Sequence, residues 1–260
     1  MWHSSGVGAP GETSCRVAEQ FVFMKVFVGS NASIAEPARV QHWRRHMSGI
    51  IQRYAGKRIA RWMSRAHTVR VHGLRIFVPV GVFPPKFFFS TRLLCDTLRS
   101  APVQGRSLLE VGSGSGAVSL TAAKAGAKVT AVDISVAAVA ATGLNATANR
   151  LDVRFMRSDL FAAVGDEKFD FVVVNPPYFQ HDPASELDHA FHAGSNFEYF
   201  HRLFANLGKH VAKDGVVLLT LAEGCDGTIA DIAAVYGWKF RLDNRRMSQL
   251  QWTYLFSLHR

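Results

Sequence analysis

Asn175-Pro176-Pro177-Tyr178 follows the apolar run Phe169-Asp170-Phe171-Val172-Val173-Val174, which reads as a buried strand. A loop opening there displays its residues at the strand's carboxyl end, the edge at which open α/β sheets bind ligands. Two prolines remove two backbone donors and fix two φ angles, so the carbonyls of this turn stay free and rigidly aimed. An amide side chain, outward carbonyls and one aromatic face together suit a planar group that carries an NH2. Taken alone, the tetrapeptide fits a plain rigid turn equally well.

A second constellation lies upstream. Leu108-Leu109-Glu110-Val111-Gly112-Ser113-Gly114-Ser115-Gly116 ends one strand and opens a helix. Its glycines permit a tight turn and close approach of a ligand to the backbone, with helix N–H groups pointing at it. Gly112, Gly114 and Ala117 also satisfy the dinucleotide pattern, so the turn by itself leaves a nicotinamide-dependent oxidoreductase open. Asp133 ends the next strand, Lys128 to Val132, where a carboxylate can accept from both hydroxyls of a ribose. Asp159 follows the strand Val153 to Arg157, where it can accept from an adenine amino group. The structural alternatives are an acid at a helix N-terminus for Asp133 and a cap for Asp159.

These residues need a parallel sheet behind them. Strand-like runs at 107–111, 128–132, 153–157, 169–174 and 215–221 alternate with helical stretches at 115–125, 135–149 and 196–212, the mark of βαβ units. Trp238 to Leu242 and Trp252 to Leu258 break that rhythm and fit a terminal antiparallel hairpin. Upstream, Thr68 to Val78 alternates around His72-Gly73, a hairpin signature, and Ser90 is placed to cap a helix through Leu93, Leu94 and Leu98. Apolar positions from Val40 to Ala66 keep a helical period that Gly49 and Gly56 divide into two helices. The expected organisation is a weakly ordered segment at 1–35, a basic helical and hairpin extension at 36–85, and a ligand-binding α/β domain at 86–260. Met24 is a second candidate start.

Charge is unevenly spread. From Pro37 to Cys95 there is no acidic residue but twelve Arg and Lys, whereas the whole chain carries +10, leaving −2 for the rest. Such asymmetry suits an anionic partner, RNA above all, held through residues 39–75; a solvated Arg-rich helix face is the alternative. No stretch approaches the roughly 20 apolar residues of a membrane span, and residues 1–20 lack the pattern of a secretory signal. Cys15, Cys95 and Cys225 are widely spaced with no CxxC pair, so a reduced cytoplasm and no structural zinc are expected; a monomer is the expected state.

Glu110 before a GxGxG turn, Asp133, Asp159 and Asn-Pro-Pro-Tyr, in this order, resemble class I S-adenosylmethionine-dependent methyltransferases, and most of all the "methyltransferase small" domain group. That group includes release-factor glutamine methyltransferases and methyltransferases of rRNA and tRNA exocyclic amines. The resemblance covers about residues 68 to 258. It implies a Rossmann-like seven-stranded, mostly parallel sheet with an antiparallel terminal strand. It also implies that Glu110, Gly112, Ser113, Gly114 and Gly116 hold the methionine part of S-adenosylmethionine. Asp133 with Ile134, and Asp159 with Leu160, would hold ribose and adenine, with Asn175 completing the set. Asn175, Pro176, Pro177 and Tyr178 match the family's catalytic motif residue for residue.

The expected reaction is therefore methyl transfer to a planar amide or exocyclic amine nitrogen, leaning to an RNA base. A protein glutamine, a small metabolite, and an RNA-binding module with a vestigial cofactor fold are the alternatives. Phe87 to Phe89 and Arg92 precede the cofactor strand, where the family places an entrance wall, and they fit a plain core segment equally well; His181, Asp182, Asp188, His189 and His192 read as a solvated substrate loop rather than metal ligands. Ala190 to Tyr199 resembles the family segment after the motif, with Gly194 kept and Asn196-Phe197 replacing its acidic-glycine step. Arg245 and Arg246 read as a solvated loop between the last two strands, near the ligand edge.

Overall fold

A computed structural model describes residues 61–85, 89–184, 187–248 and 251–260. The expectations for residues 1–35, for the helices between Val40 and Ile59, and for Phe87 and Phe88 lie outside the described residues.

Seven strands form the central sheet in the order β5-β4-β3-β6-β7-β9-β8. β3 (Ser107–Val111), β4 (Lys128–Asp133), β5 (Val153–Arg157), β6 (Phe169–Val174) and β7 (Val211–Ala222) pair in parallel. β9 (Gln251–His259) runs antiparallel between β7 and the edge strand β8 (Lys239–Ser248). The central runs are apolar because both faces are covered: Leu108, Leu109, Phe171, Val172, Val173 and Val174 have no exposed surface. Crossovers run outward from β3 to β5, then return to β6 on the other side of β3. This reversal opens a crevice at the carboxyl ends of β3 and β6.

Helices α1 (Phe89–Ser100), α2 (Ala117–Lys124), α3 (Val136–Ala148), α4 (Glu198–Leu207) and α5 (Asp226–Val235) accompany the sheet, and Leu187–Ala190 forms a short 3-10 turn. α4 shows why its sequence is helical: Phe200, Leu203, Phe204 and Leu207, spaced at three and four residues, are all fully buried. The expected cap at Ser90 is corrected, since that residue lies inside α1 and is buried. The terminal antiparallel hairpin is present as β8 and β9, and α5, which the sequence reading did not place, precedes it. Arg245 and Arg246 belong to β8, not to a loop; Arg246 pairs with Asp96 at 3.2 Å and Arg245 stacks on Trp252.

The small hairpin of β1 (His67–Val71) and β2 (Leu74–Val78) turns through His72 and Gly73, with φ of 47° and 80°, as a two-residue hairpin turn demands. α3 secures it. The Asn145 side chain accepts from Phe77 N at 2.7 Å and donates to Phe77 O at 2.8 Å, while Asn149 treats Arg75 in the same way. Side-chain amides thus satisfy a strand edge, and they fix the loop after β2 beside the crevice.

Candidate active site

A cavity of about 750 Å³ occupies the crevice and reaches from the glycine turn to Asn175-Pro176-Pro177-Tyr178. That volume falls within the range of roughly 300–1,000 Å³ typical of small-molecule sites. Glu110, Gly112, Ser113, Gly114, Asp133, Ile134, Asp159, Leu160, Asn175, Pro176, Pro177 and Tyr178 all line it; Gly116 sits one layer behind. Phe83, after the hairpin, lines the cavity and faces Phe191 at 5.7 Å between ring centroids, whereas Arg92 is exposed.

Asp133 is the hub of the upper half. Its Oδ2 accepts from Gly114 N at 2.8 Å and its Oδ1 from Ser135 N at 2.9 Å. These two bonds aim the carboxylate rigidly, and carboxylate oxygens of this kind can accept from more than one donor each, the chemistry a vicinal diol calls for. Gly112 N and Ser113 N both donate to Val132 O, and Gly116 N to Ser113 O. The amides at 112, 113, 114 and 116 are therefore committed inside the protein. The turn offers a close backbone surface rather than the ring of donors that a pyrophosphate requires, which weighs against a dinucleotide.

Gly116 needs to be glycine for two reasons. Its φ is +77°, and a Cβ there would lie 3.0 Å from Leu120 Cδ1 and from Thr142 Cγ2 and Oγ1. Gly116→Ala is expected to destabilise the fold by about 1–2 kcal/mol from backbone conformation alone. Urea unfolding measures this, and an unchanged midpoint would contradict it.

Glu110 is 2% exposed, and its Oε2 accepts from both the backbone N (2.8 Å) and the hydroxyl of Ser119 in the first turn of α2. Burial pushes its carboxyl up from 4.5 to about 8, against the lowering effect of the Ser119 bonds. The folded protein therefore holds this proton more tightly than the unfolded chain. The associated stability is fully present below pH 4.5 and is lost as pH rises through about 8. Glu110→Gln is expected to match the wild type near pH 4.5 and to become progressively more stable than it toward pH 8. Thermal melts across that window check this; a pH-independent difference would contradict it.

Asn175 follows the last residue of β6, and its Oδ1 accepts from the Thr220 hydroxyl at 2.8 Å. The Asn oxygen expected to serve a substrate thus has one lone pair engaged and one left. The Tyr178 ring packs partly against the core, with its hydroxyl pushed up to about 12 by burial and secondarily by Cys225. Beyond it, Phe179 N donates to Phe191 O (3.0 Å), Ala193 N to Phe179 O (2.8 Å) and Gly194 N to His181 O (3.0 Å). Ser195 N donates to Asp182 at 2.8 Å. These bonds clamp the segment after the motif into a wall that carries His189 and His192 into the cavity lining.

The model of the Methyltransferase small domain matches residues 73–222, more than half of the chain. The chain belongs to this family. A putative protein N5-glutamine methyltransferase of Methanocaldococcus jannaschii is 38% identical over 158 residues, 57% of this chain and 76% of that protein. A release factor glutamine methyltransferase of Gloeobacter violaceus is 30% identical over 148 residues, half of each chain. Among solved structures, a T. thermophilus 16S rRNA N2 G1207 methyltransferase, in complex with AdoMet and guanosine, is 25% identical with a TM-score of 0.54. That match covers 75% of this chain and 50% of that one.

Within this small-domain methyltransferase, Arg202, which lines the cavity, and Thr220, which bonds to Asn175 without lining it, carried no signal in the sequence. Thr220 reaches the site from β7, whereas Tyr199 and Arg202 reach it from α4. Arg202 holds Asp159 Oδ2 at 2.6 Å, which leaves Oδ1 as the oxygen not engaged by this ion pair. With Asp159 47% and Arg202 56% exposed, that pair steers orientation more than it adds stability. Burial raises the Tyr199 hydroxyl, and Asp133 and Asp159 add to the effect. Among the described residues, no three His, Cys, Asp or Glu side chains gather as metal ligands, and no helix is long and apolar enough to cross a membrane.

Proposed function

We propose that the protein transfers a methyl group from S-adenosylmethionine to a planar nitrogen, either an amide or the exocyclic amine of a base. The observation that carries this reading is one continuous cavity joining a preset diol acceptor, Asp133, to Asn175-Pro176-Pro177-Tyr178. The residues suit S-adenosylmethionine: Asp133 would take the ribose, Asp159 the adenine amine, and Glu110 with the glycine turn the methionine end. Bound there, the cofactor supplies an electrophilic methyl on a sulfonium.

The chain's own part is positioning. A planar nitrogen is a poor nucleophile because its lone pair is delocalised. The free lone pair of Asn175 Oδ1 and the Pro176 carbonyl would accept its two N–H hydrogens and favour the pyramidal, nucleophilic geometry. This is complementarity to the transition state. Tyr178 would stack on the acceptor plane, and the mutually bonded stretches Phe179–Asp182 and Phe191–Ser195 would keep water out.

An RNA base is the leading acceptor. The acid-free basic stretch supports it, together with the aromatic mouth of Phe83, Phe179 and Phe191, against which an extruded base can stack. The second reading, a protein glutamine, is favoured by the names of relatives up to 38% identical. A monomer in the cytoplasm belongs to the same proposal, and Cys95 and Cys225 are free thiols. Tritiated-methyl transfer into a fractionated lysate tests the acceptor. Label in RNA, lost steeply with added salt, is expected; label confined to protein would overturn the RNA reading.

A further inference from the structure

We infer that Thr220 is a positioning residue acting through Asn175, an inference that rests on the methyltransferase reading above. Val216 to Ala222 is an apolar run of β7 in which Thr220 carries the one hydroxyl, and that residue is 1% exposed. A buried hydroxyl is costly without a partner, and this one donates to Asn175 Oδ1 at 2.8 Å.

The placement follows from strand register. β6 and β7 run parallel with Val174 opposite Leu219, so Asn175 and Thr220 occupy the next step, where β6 passes into its loop. On its other side Thr220 pairs with Leu255 of β9. The antiparallel hairpin therefore holds the hydroxyl's backbone rigid from behind. An Asn side chain has two soft torsions, and a bond from a fixed, buried donor removes that freedom. It fills one lone pair of Oδ1 and leaves the other at a set angle toward the cavity. Through Thr220, the terminal hairpin acquires a part in orienting the substrate acceptor.

The test uses the full-length protein and four variants. Thr220→Val keeps the shape and deletes the hydroxyl; it is expected to lower kcat about 10- to 100-fold by misorienting the amide. Its KM for S-adenosylmethionine and its melting temperature should stay close to those of the wild type. Thr220→Ser restores the donor and is expected to recover most of the rate. In an Asn175→Ala background, Thr220→Val should cost nothing further, since its effect passes through Asn175.

Unchanged kcat in Thr220→Val, alongside an inactive Asn175→Ala, would overturn this proposal and leave the methyltransferase reading intact. So would an undiminished additional loss in the double variant, or failure of Thr220→Ser to recover activity. Full activity in Asn175→Ala would instead remove the reading on which the proposal stands.

Discussion

Asn175→Ala is expected to lower kcat by about 10²–10³-fold, the usual cost of deleting one preorganised group that acts on the transition state. The dissociation constant for S-adenosylmethionine should change little, because Asp133, Asp159 and Glu110 hold their places through partners other than Asn175. The rate loss follows from geometry. Oδ1 is the acceptor held by Thr220, and alanine leaves that position empty while the rigid Pro176-Pro177 turn prevents another group from filling it. Single-turnover kinetics at saturating cofactor isolate the step. Loss of cofactor affinity with kcat preserved would assign Asn175 to binding instead.

Asp133→Ala is expected to act on the other half of the site. Two charge-assisted hydrogen bonds to a ribose, each worth about 1.5–3 kcal/mol, vanish together. That predicts a loss of about 10²–10⁴ in affinity for S-adenosylhomocysteine by titration calorimetry. Asp133 also tethers Gly114 N and Ser135 N. Asp133→Asn, which keeps one acceptor oxygen, should fall between the two. Unchanged affinity in Asp133→Ala would exclude the carboxylate from the nucleoside site.

The cofactor half was legible because its signals are local. Val111-Gly112-Ser113-Gly114 and Val132-Asp133 are each a strand end followed by a turn, and β3, β5 and β6 begin and end where the apolar runs do. What stayed hidden depends on neighbours distant in sequence. Thr220 lies 45 residues beyond Asn175 and Arg202 lies 43 beyond Asp159, and neither breaks an otherwise ordinary strand or helix pattern.

β8 was read short for a different reason. As an edge strand paired only to β9, it carries the mostly exposed run Arg241 to Met247, which has no alternation to reveal it. α5 leaves little trace in the sequence, because Gly224 and Gly227 flank its start and its fully buried side chains among the described residues are Ile229 and Ala233. The order of Glu110, Asp133, Asp159 and the Asn-Pro-Pro-Tyr turn thus narrowed the chemistry early. The packing that aims those groups became visible only in three dimensions.

The most direct measurement is the chemical position of the transferred methyl. Purified protein is incubated with labelled S-adenosylmethionine and its acceptor fraction, and the labelled product is hydrolysed to monomers and identified by mass spectrometry. The expected product carries the methyl on a planar nitrogen, as an N-methylated base or N-methylglutamine, and is absent with Asn175→Ala. Methyl found on oxygen, sulfur or carbon, or an equal yield from Asn175→Ala, would contradict the function assigned to this site.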